Sequence, residues 1–183
     1  MGSLIFIDTT PAALLLLGFA LFIVMYYAIY RRRPSFRVVA LLLLCDYLFF
    51  LLNVTILSRT PGAGIVSPIE LNLLASIKRA VNTSSSILAL NEVFGIVFNI
   101  VLFAPLGLLL PIVSRKHLSV YMVMFVGFLS SFVIESAQLI LARGVFSLED
   151  MMYNTLGSLV GFITYKIITA NKNFFKNLFT KKA

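Results

Sequence analysis

The chain is poor in charge, thiols and imidazole. Only 12% of its 183 residues are Asp, Glu, Lys or Arg, while 60% are hydrophobic. A soluble domain of this length needs a more polar surface, so the composition excludes one. The single cysteine, Cys45, lies in an apolar run, which excludes an internal disulfide and a thiolate metal site. The single histidine, His117, sits in a short basic loop and reads as solvated. No Walker loop, HExxH helix or GxSxG elbow occurs, and no internal repeat is evident. The first ten residues carry no positive stretch ahead of the first apolar run, so a cleavable signal peptide is not expected.

What the chain has instead is a series of apolar runs long enough to cross a bilayer, which needs about 20 residues each. The pattern predicts an all-α, polytopic membrane helix bundle in a single domain over residues 1–183. Five spans are expected: Pro11–Tyr30, Arg37–Leu57, Glu92–Val113, Leu118–Leu141 and Asp150–Ala170. The segment 65–90 is too interrupted to span. It reads as an interfacial helix or a re-entrant element capping one mouth of the bundle.

The formal net charge of +8 does not imply nucleic acid, because the basic residues sit in short loops beside apolar spans. With the N-terminus outside, eleven of the fifteen basic residues fall on the cytoplasmic side, and only Arg59, Lys78, Arg79 and Arg143 fall outside. This is the positive-inside arrangement, with the C-terminus cytoplasmic. Asp8, Glu70, Glu92, Glu149 and Asp150 fall at or beyond the outer boundary.

Two polar signatures interrupt the apolar sequence. One begins at Asn99 and runs through Pro105 and Gly107 to Pro111; the other comprises Glu135, Gln138, Arg143, Glu149, Asp150, Asn154 and Gly157. Glu135 lies 17 residues beyond Leu118, about 25 Å along a helix rising 1.5 Å per residue, and so in the outer part of its span. Gln138 follows at i+3, Asp150 and Asn154 are i and i+4, and Glu92, Gly95 and Asn99 share one stripe. Ser147 or Asp150 is placed to cap the last span. Three helices thus aim polar groups at one outer level. Such groups are costly at membrane depth. Interhelical hydrogen bonding alone would explain some of them, whereas the convergence of acid, amide and guanidinium groups points to a polar pocket.

Gly157 and Gly161 form a small-xxx-small stretch suited to helix packing. Pro105, Gly107 and Pro111 are expected to shape a kink or a helix end. Asp46, in the inner half of its span, stands apart as a secondary site, and Asn53 is placed to join either level.

The stretch Asn99-Ile-Val-Leu-Phe103-Ala-Pro105-Leu-Gly107 resembles the N-x-x-x-F-x-P-L-G element of VanZ-like proteins. Glu135 with Gln138, then Arg143, Glu149-Asp150 and Asn154-Thr-Leu-Gly157 are similar to the later elements of that family, and Leu71-Asn72-Leu73 to an earlier one. The resemblance covers residues 70–165. Ser147 stands where an acid is common, Glu149 replaces an aspartate, and Ala75-Ser76 replaces Pro-Phe. The resemblance implies a small integral protein of the bacterial cell membrane, in a family whose named member is tied to resistance to teicoplanin and related glycopeptides.

The residues expected to form a ligand site are Asn72, Glu92, Asn99, Glu135, Gln138, Arg143, Asp150 and Asn154, with no metal and no cofactor. The expected partners are membrane lipids, a lipid-linked cell-wall precursor or a lipoglycopeptide, met on the anionic side by Arg143, Lys78 and Arg79. An intramembrane enzyme acting on a lipid-linked substrate, with Glu135 or Asp150 as general acid or base, is the second reading. A transporter or flippase is the third, and the absence of a repeat argues against it.

Overall fold

The computed structural model describes residues 36–62, 68–114 and 117–180. The expected span Pro11–Tyr30, its basic triplet Arg31-Arg32-Arg33 and the Arg115-Lys116 turn lie outside the described residues. The architecture is all-α. Helix α1 (Phe36–Leu52) runs into a π-helical turn at Asn53–Leu57. A two-residue strand, β1 (Ile69–Glu70), then precedes α2 (Ala75–Asn82) and α3 (Ser86–Val113). Helix α4 (Val120–Ile140) follows, then β2 (Phe146–Ser147) and α5 (Leu148–Thr180).

Three helical stretches among the described residues, Val38–Leu57, Ser86–Val113 and Val120–Ile140, are long and apolar enough to cross a membrane. They match the expected second, third and fourth spans. The third begins six residues before the expected Glu92: the serine run reads as loop in sequence, but the helix resumes at Ser86 and carries Ile87, Leu88 and Leu90 in its first turns. Helix α5 has 33 residues, about 50 Å at 1.5 Å per residue. Asn154, Ser158 and Lys166 make it more polar than the other three, and it is not among the three apolar stretches. It also continues ten residues past the expected Ala170.

The distribution of polarity is inverted relative to a soluble protein. Glu135, Gln138, Glu149, Asn154 and Ser158 are buried, whereas Phe94, Val101, Phe125 and Ile140 are exposed. Apolar surface needs no shielding in lipid, while polar groups do. The core joins Leu44, Leu51 and Ile56 of the first segment to Leu102, Phe103 and Leu106 of α3 and Ile134 of α4.

Helix α5 lies directly against α3. A Cβ on Gly157 would strike the Ile100 carbonyl, one on Gly161 the Ala104 carbonyl, and one on Gly107 the Ser158 carbonyl. The small-xxx-small expectation therefore holds, and Gly107 serves this crossing from the other side. Helix α3 runs on through Pro105 and ends at Val113, two residues after Pro111. Pro105 has no N–H for the Val101 carbonyl four residues back. The Tyr47 hydroxyl donates to the Leu102 carbonyl (2.8 Å) in this stretch.

Segment 65–90 supplies, where described, β1 and the short helix α2, which packs against α3. Ile69 pairs with Phe146 and Glu70 with Ser147 in a parallel ladder. The Pro68 carbonyl also accepts the Phe146 amide at 2.8 Å. These bonds fix the 68–70 segment to the corner between α4 and α5.

Candidate functional site

The α4–α5 corner is built by two helix caps. At the end of α4 the Arg143 amide donates to the Gln138 carbonyl (2.8 Å) and the Ala142 amide to the Leu139 carbonyl (3.1 Å). This is the Schellman arrangement, which places one residue in the left-handed region. That residue is Ala142, at φ 50°. Its carbonyl accepts the Gly62 amide at 2.7 Å, bringing in the loop after the π turn. At the start of α5 the Ser147 hydroxyl accepts the Asp150 amide (3.1 Å). Of the two expected caps, Ser147 is the one used.

The Ser147 amide donates to Glu135 Oε2 at 2.9 Å. Glu135 is 2% exposed and lies one helix away on α4. In a capping box the acid three residues into the helix accepts this amide. Here that position is Asp150, and with Glu135 in its place the Asp150 carboxylate turns elsewhere: Oδ1 accepts from Asn99 Nδ2 of α3 at 2.8 Å. Three of the expected site residues, Glu135, Asp150 and Asn99, thus meet around the first turn of α5.

Glu149 completes this end. It is 2% exposed. Its Oε2 accepts the Ser76 amide at the start of α2 (2.9 Å), and its Oε1 accepts the Tyr153 hydroxyl (3.2 Å). Asn72 orients that helix start, its Oδ1 accepting the Leu74 amide at 3.1 Å, an Asx-turn device. Glu92 on α3 pairs with Arg79 Nε at 3.1 Å, and Glu70 pairs with Arg79 Nη1 at 3.5 Å. Arg79 Nη2 also donates to the Ser76 hydroxyl at 2.9 Å.

Between these groups lies an open cleft of about 200 Å³, lined by Glu70, Ser76, Arg79, Val145, Ser147, Glu149 and Asp150. Of the expected ligand residues, Asp150 lines it. Glu135, Asn99 and Glu92 hold residues that do, and Asn72 holds the Leu74 amide ahead of α2. Glu70, Ser76 and the burial of Glu149 are not legible as site features in sequence, because the two-residue ladder and the fold-back of α2 bring them there.

Gln138 and Arg143 point away from the cleft. Gln138 Nε2 donates to the Thr55 carbonyl at 3.0 Å, and Arg143 Nη1 to the carbonyls of Ile56 (3.0 Å) and Leu57 (2.9 Å). The last carbonyls of a helix lack partners within it and carry its negative dipole end. These two side chains close the end of the π turn from outside. Arg59 joins them: a Cβ on Gly144 would sit 2.8 Å from Gln138 Oε1 and 3.0 Å from Arg59 Nη1. The Arg59 charge also acts on the carboxyls of Glu135 and Asp150. Nothing local in the sequence marks Arg59, which stands alone beside the Pro61–Gly62 turn.

Asn154 lies one turn deeper on α5. Its Nδ2 donates to the Ser131 hydroxyl of α4 (2.8 Å), so it staples α5 to α4 rather than lining the cleft. Its Oδ1 is buried without a hydrogen-bond partner among the described residues, as is Oδ1 of Asp46 on α1. Among the described residues no group of three or more His, Cys, Asp or Glu side chains is arranged to hold a metal ion.

No curated protein and no solved structure matches the chain at a significant level. A family model described as VanZ/LLP1 matches residues 36–169, reaching upstream of residues 70–165 to take in α1 and the π turn that Gln138 and Arg143 close. With most of its length covered by that match, this membrane protein belongs to the VanZ/LLP1 family.

Proposed function

We propose that the cleft between α2 and the start of α5 binds the polar head of a lipid-linked cell-wall precursor or a lipoglycopeptide at the outer face of a bacterial cell membrane. By this binding the chain protects against teicoplanin-type glycopeptides. In this reading the whole chain is one membrane domain of five spans. Pro11–Tyr30 and α5 join the three apolar helices, with the N-terminus outside and the C-terminus cytoplasmic. The bias of basic residues toward the inner loops supports that orientation.

The observation that carries the proposal is the position of Asp150. Asp150 lines an open cleft together with Glu149 and Arg79, and its carboxylate is oriented by Asn99. A carboxylate beside a guanidinium suits a ligand that carries ammonium or hydroxyl groups together with phosphate or carboxylate. Binding is favoured over catalysis because the other buried acids are engaged in structure: Glu135 with the Ser147 amide, Glu149 with the Ser76 amide and the Tyr153 hydroxyl.

The test is teicoplanin susceptibility in a Gram-positive host expressing wild type, Asp150→Asn or Arg79→Ala at matched membrane levels. Wild type is expected to protect, and both substitutions to remove protection. Equal protection by all three overturns the cleft as the functional site. No protection by wild type overturns the glycopeptide role.

A further inference from the structure

The polar cleft has an apolar neighbour. A groove of about 340 Å³ opens beside it, lined by side chains that include Leu73, Met124, Phe128, Leu148, Met151 and Leu156. Their linings have no residue in common, but they adjoin in sequence. Leu73 lies three residues before Ser76 of the cleft, and Leu148 immediately precedes Glu149. From Leu148 the groove follows α5 to Leu156, eight residues or about 12 Å at 1.5 Å per residue. Its other wall is α4, one of the apolar helices, through Met124 and Phe128. Phe128 and Leu156 are exposed there, and Met151 forms the buried floor. Methionine side chains adapt to a flexible guest.

We infer that this groove holds one acyl chain of the amphiphile whose head occupies the cleft, so that head and chain are read by one continuous site. The inference rests on the reading of the cleft as a head-group site. Three features select an acyl chain over a helix of a second copy. The groove runs along the helices, as a lipid chain does. Its Leu148 and Met151 are sequence neighbours of Glu149 and Asp150 of the polar cleft, where a head group would sit. The cleft carries both carboxylates and Arg79, complementary to a head with an ammonium and a phosphate.

The experiment uses the full chain in nanodiscs of phosphatidylglycerol alone. A trace of lysophosphatidylethanolamine with a mid-chain diazirine is added, and labelled positions are mapped after irradiation. Phe94 and Val101 on α3, 70% and 61% exposed, report ordinary lipid contact. Labelling at Met124, Phe128 and Leu156 is expected to exceed that reference about tenfold, the signature of a site preferred by one decade in affinity. Excess unlabelled lysophosphatidylethanolamine should erase the difference. So should Leu156→Trp, which fills the groove, and Asp150→Asn, which weakens the head. Uniform labelling overturns the inference, as does crosslinking of the groove to a second copy. The two failures are distinguishable. If Asp150→Asn loses teicoplanin protection while labelling is uniform, the groove alone is wrong. If groove labelling ignores Asp150→Asn and protection persists, the cleft reading fails and the single-ligand site with it.

Discussion

Glu135 accepts the Ser147 amide at 2.9 Å from a helix that Ser147 does not belong to. It fills the place that Asp150 would take in a self-contained cap. The consequence is a division of labour between two acids: the buried one holds the start of α5, and the other is released toward the cleft and held there by Asn99. Glu135 holds the first turn of α5 and does not line the cleft. Glu135→Gln keeps an acceptor oxygen and is expected to lose less than about 1 kcal/mol of stability. Glu135→Ala leaves a buried amide unpaired and is expected to lose about 1–3 kcal/mol. Thermal unfolding of the purified variants in detergent checks the ordering, and equal loss in the two would sink it.

Ala142 is the left-handed residue of the α4 cap, at φ 50°. The left-handed region costs an L-residue about 1–2 kcal/mol, most of which glycine avoids. Glycine returns about 0.4–1 kcal/mol through the freer unfolded chain. Ala142→Gly is therefore expected to stabilise by about 0.5–1 kcal/mol, and Ala142→Val to destabilise. A higher unfolding temperature for the glycine variant is the observable, and a lower one counts against the cap geometry.

The α3–α5 crossing makes a contrast between two glycines of similar chemistry. A Cβ on Gly161 would run into the Ala104 carbonyl, whereas one on Gly95 meets nothing within 4 Å. Gly161→Ala is expected to cost about 1–3 kcal/mol through forced separation of the helices. Gly95→Ala is expected to be neutral or to gain up to about 1 kcal/mol from helix propensity. Parallel unfolding curves of the two variants decide the matter.

How much of this was legible in sequence depends on the range over which each feature is set. The apolar helices and the small-residue crossing are written in local pattern, and they appear where Arg37–Leu57, Leu118–Leu141 and Gly157–Gly161 placed them. The convergence of Glu135, Asp150 and Asn99 was also legible, since helical spacing puts them at one level. The partners were not. Arg143 reads as an anion ligand, yet its guanidinium finds two backbone carbonyls more than eighty residues upstream. Those acceptors are within reach because α1 ends in a π turn against α4, and no side-chain pattern announces a carbonyl at a helix end. Glu70 reaches the cleft through a two-residue ladder, too short to leave a periodicity, and Ser76 through the fold-back of α2.

That difference between Arg143 and Asp150 gives the sharpest test of which residues serve the fold and which serve the ligand. Arg143 Nη1 holds the carbonyls of Ile56 and Leu57. Hydrogen bonds from charged donors are worth about 1.5–3 kcal/mol each when buried. Arg143 is only partly buried, so Arg143→Ala is expected to cost about 1–2 kcal/mol once solvent screening is allowed for. Its effect on protection should follow the amount of folded protein in the membrane. Asp150→Asn keeps an oxygen for Asn99 and lies at an open cleft, so its expected stability cost is under about 1 kcal/mol, while protection per folded molecule should disappear. Measuring unfolding temperature and teicoplanin susceptibility on the same pair of variants separates the two roles. If Arg143→Ala abolishes protection at full stability and wild-type membrane level, the guanidinium meets the ligand directly, and the cleft must be redrawn to include it.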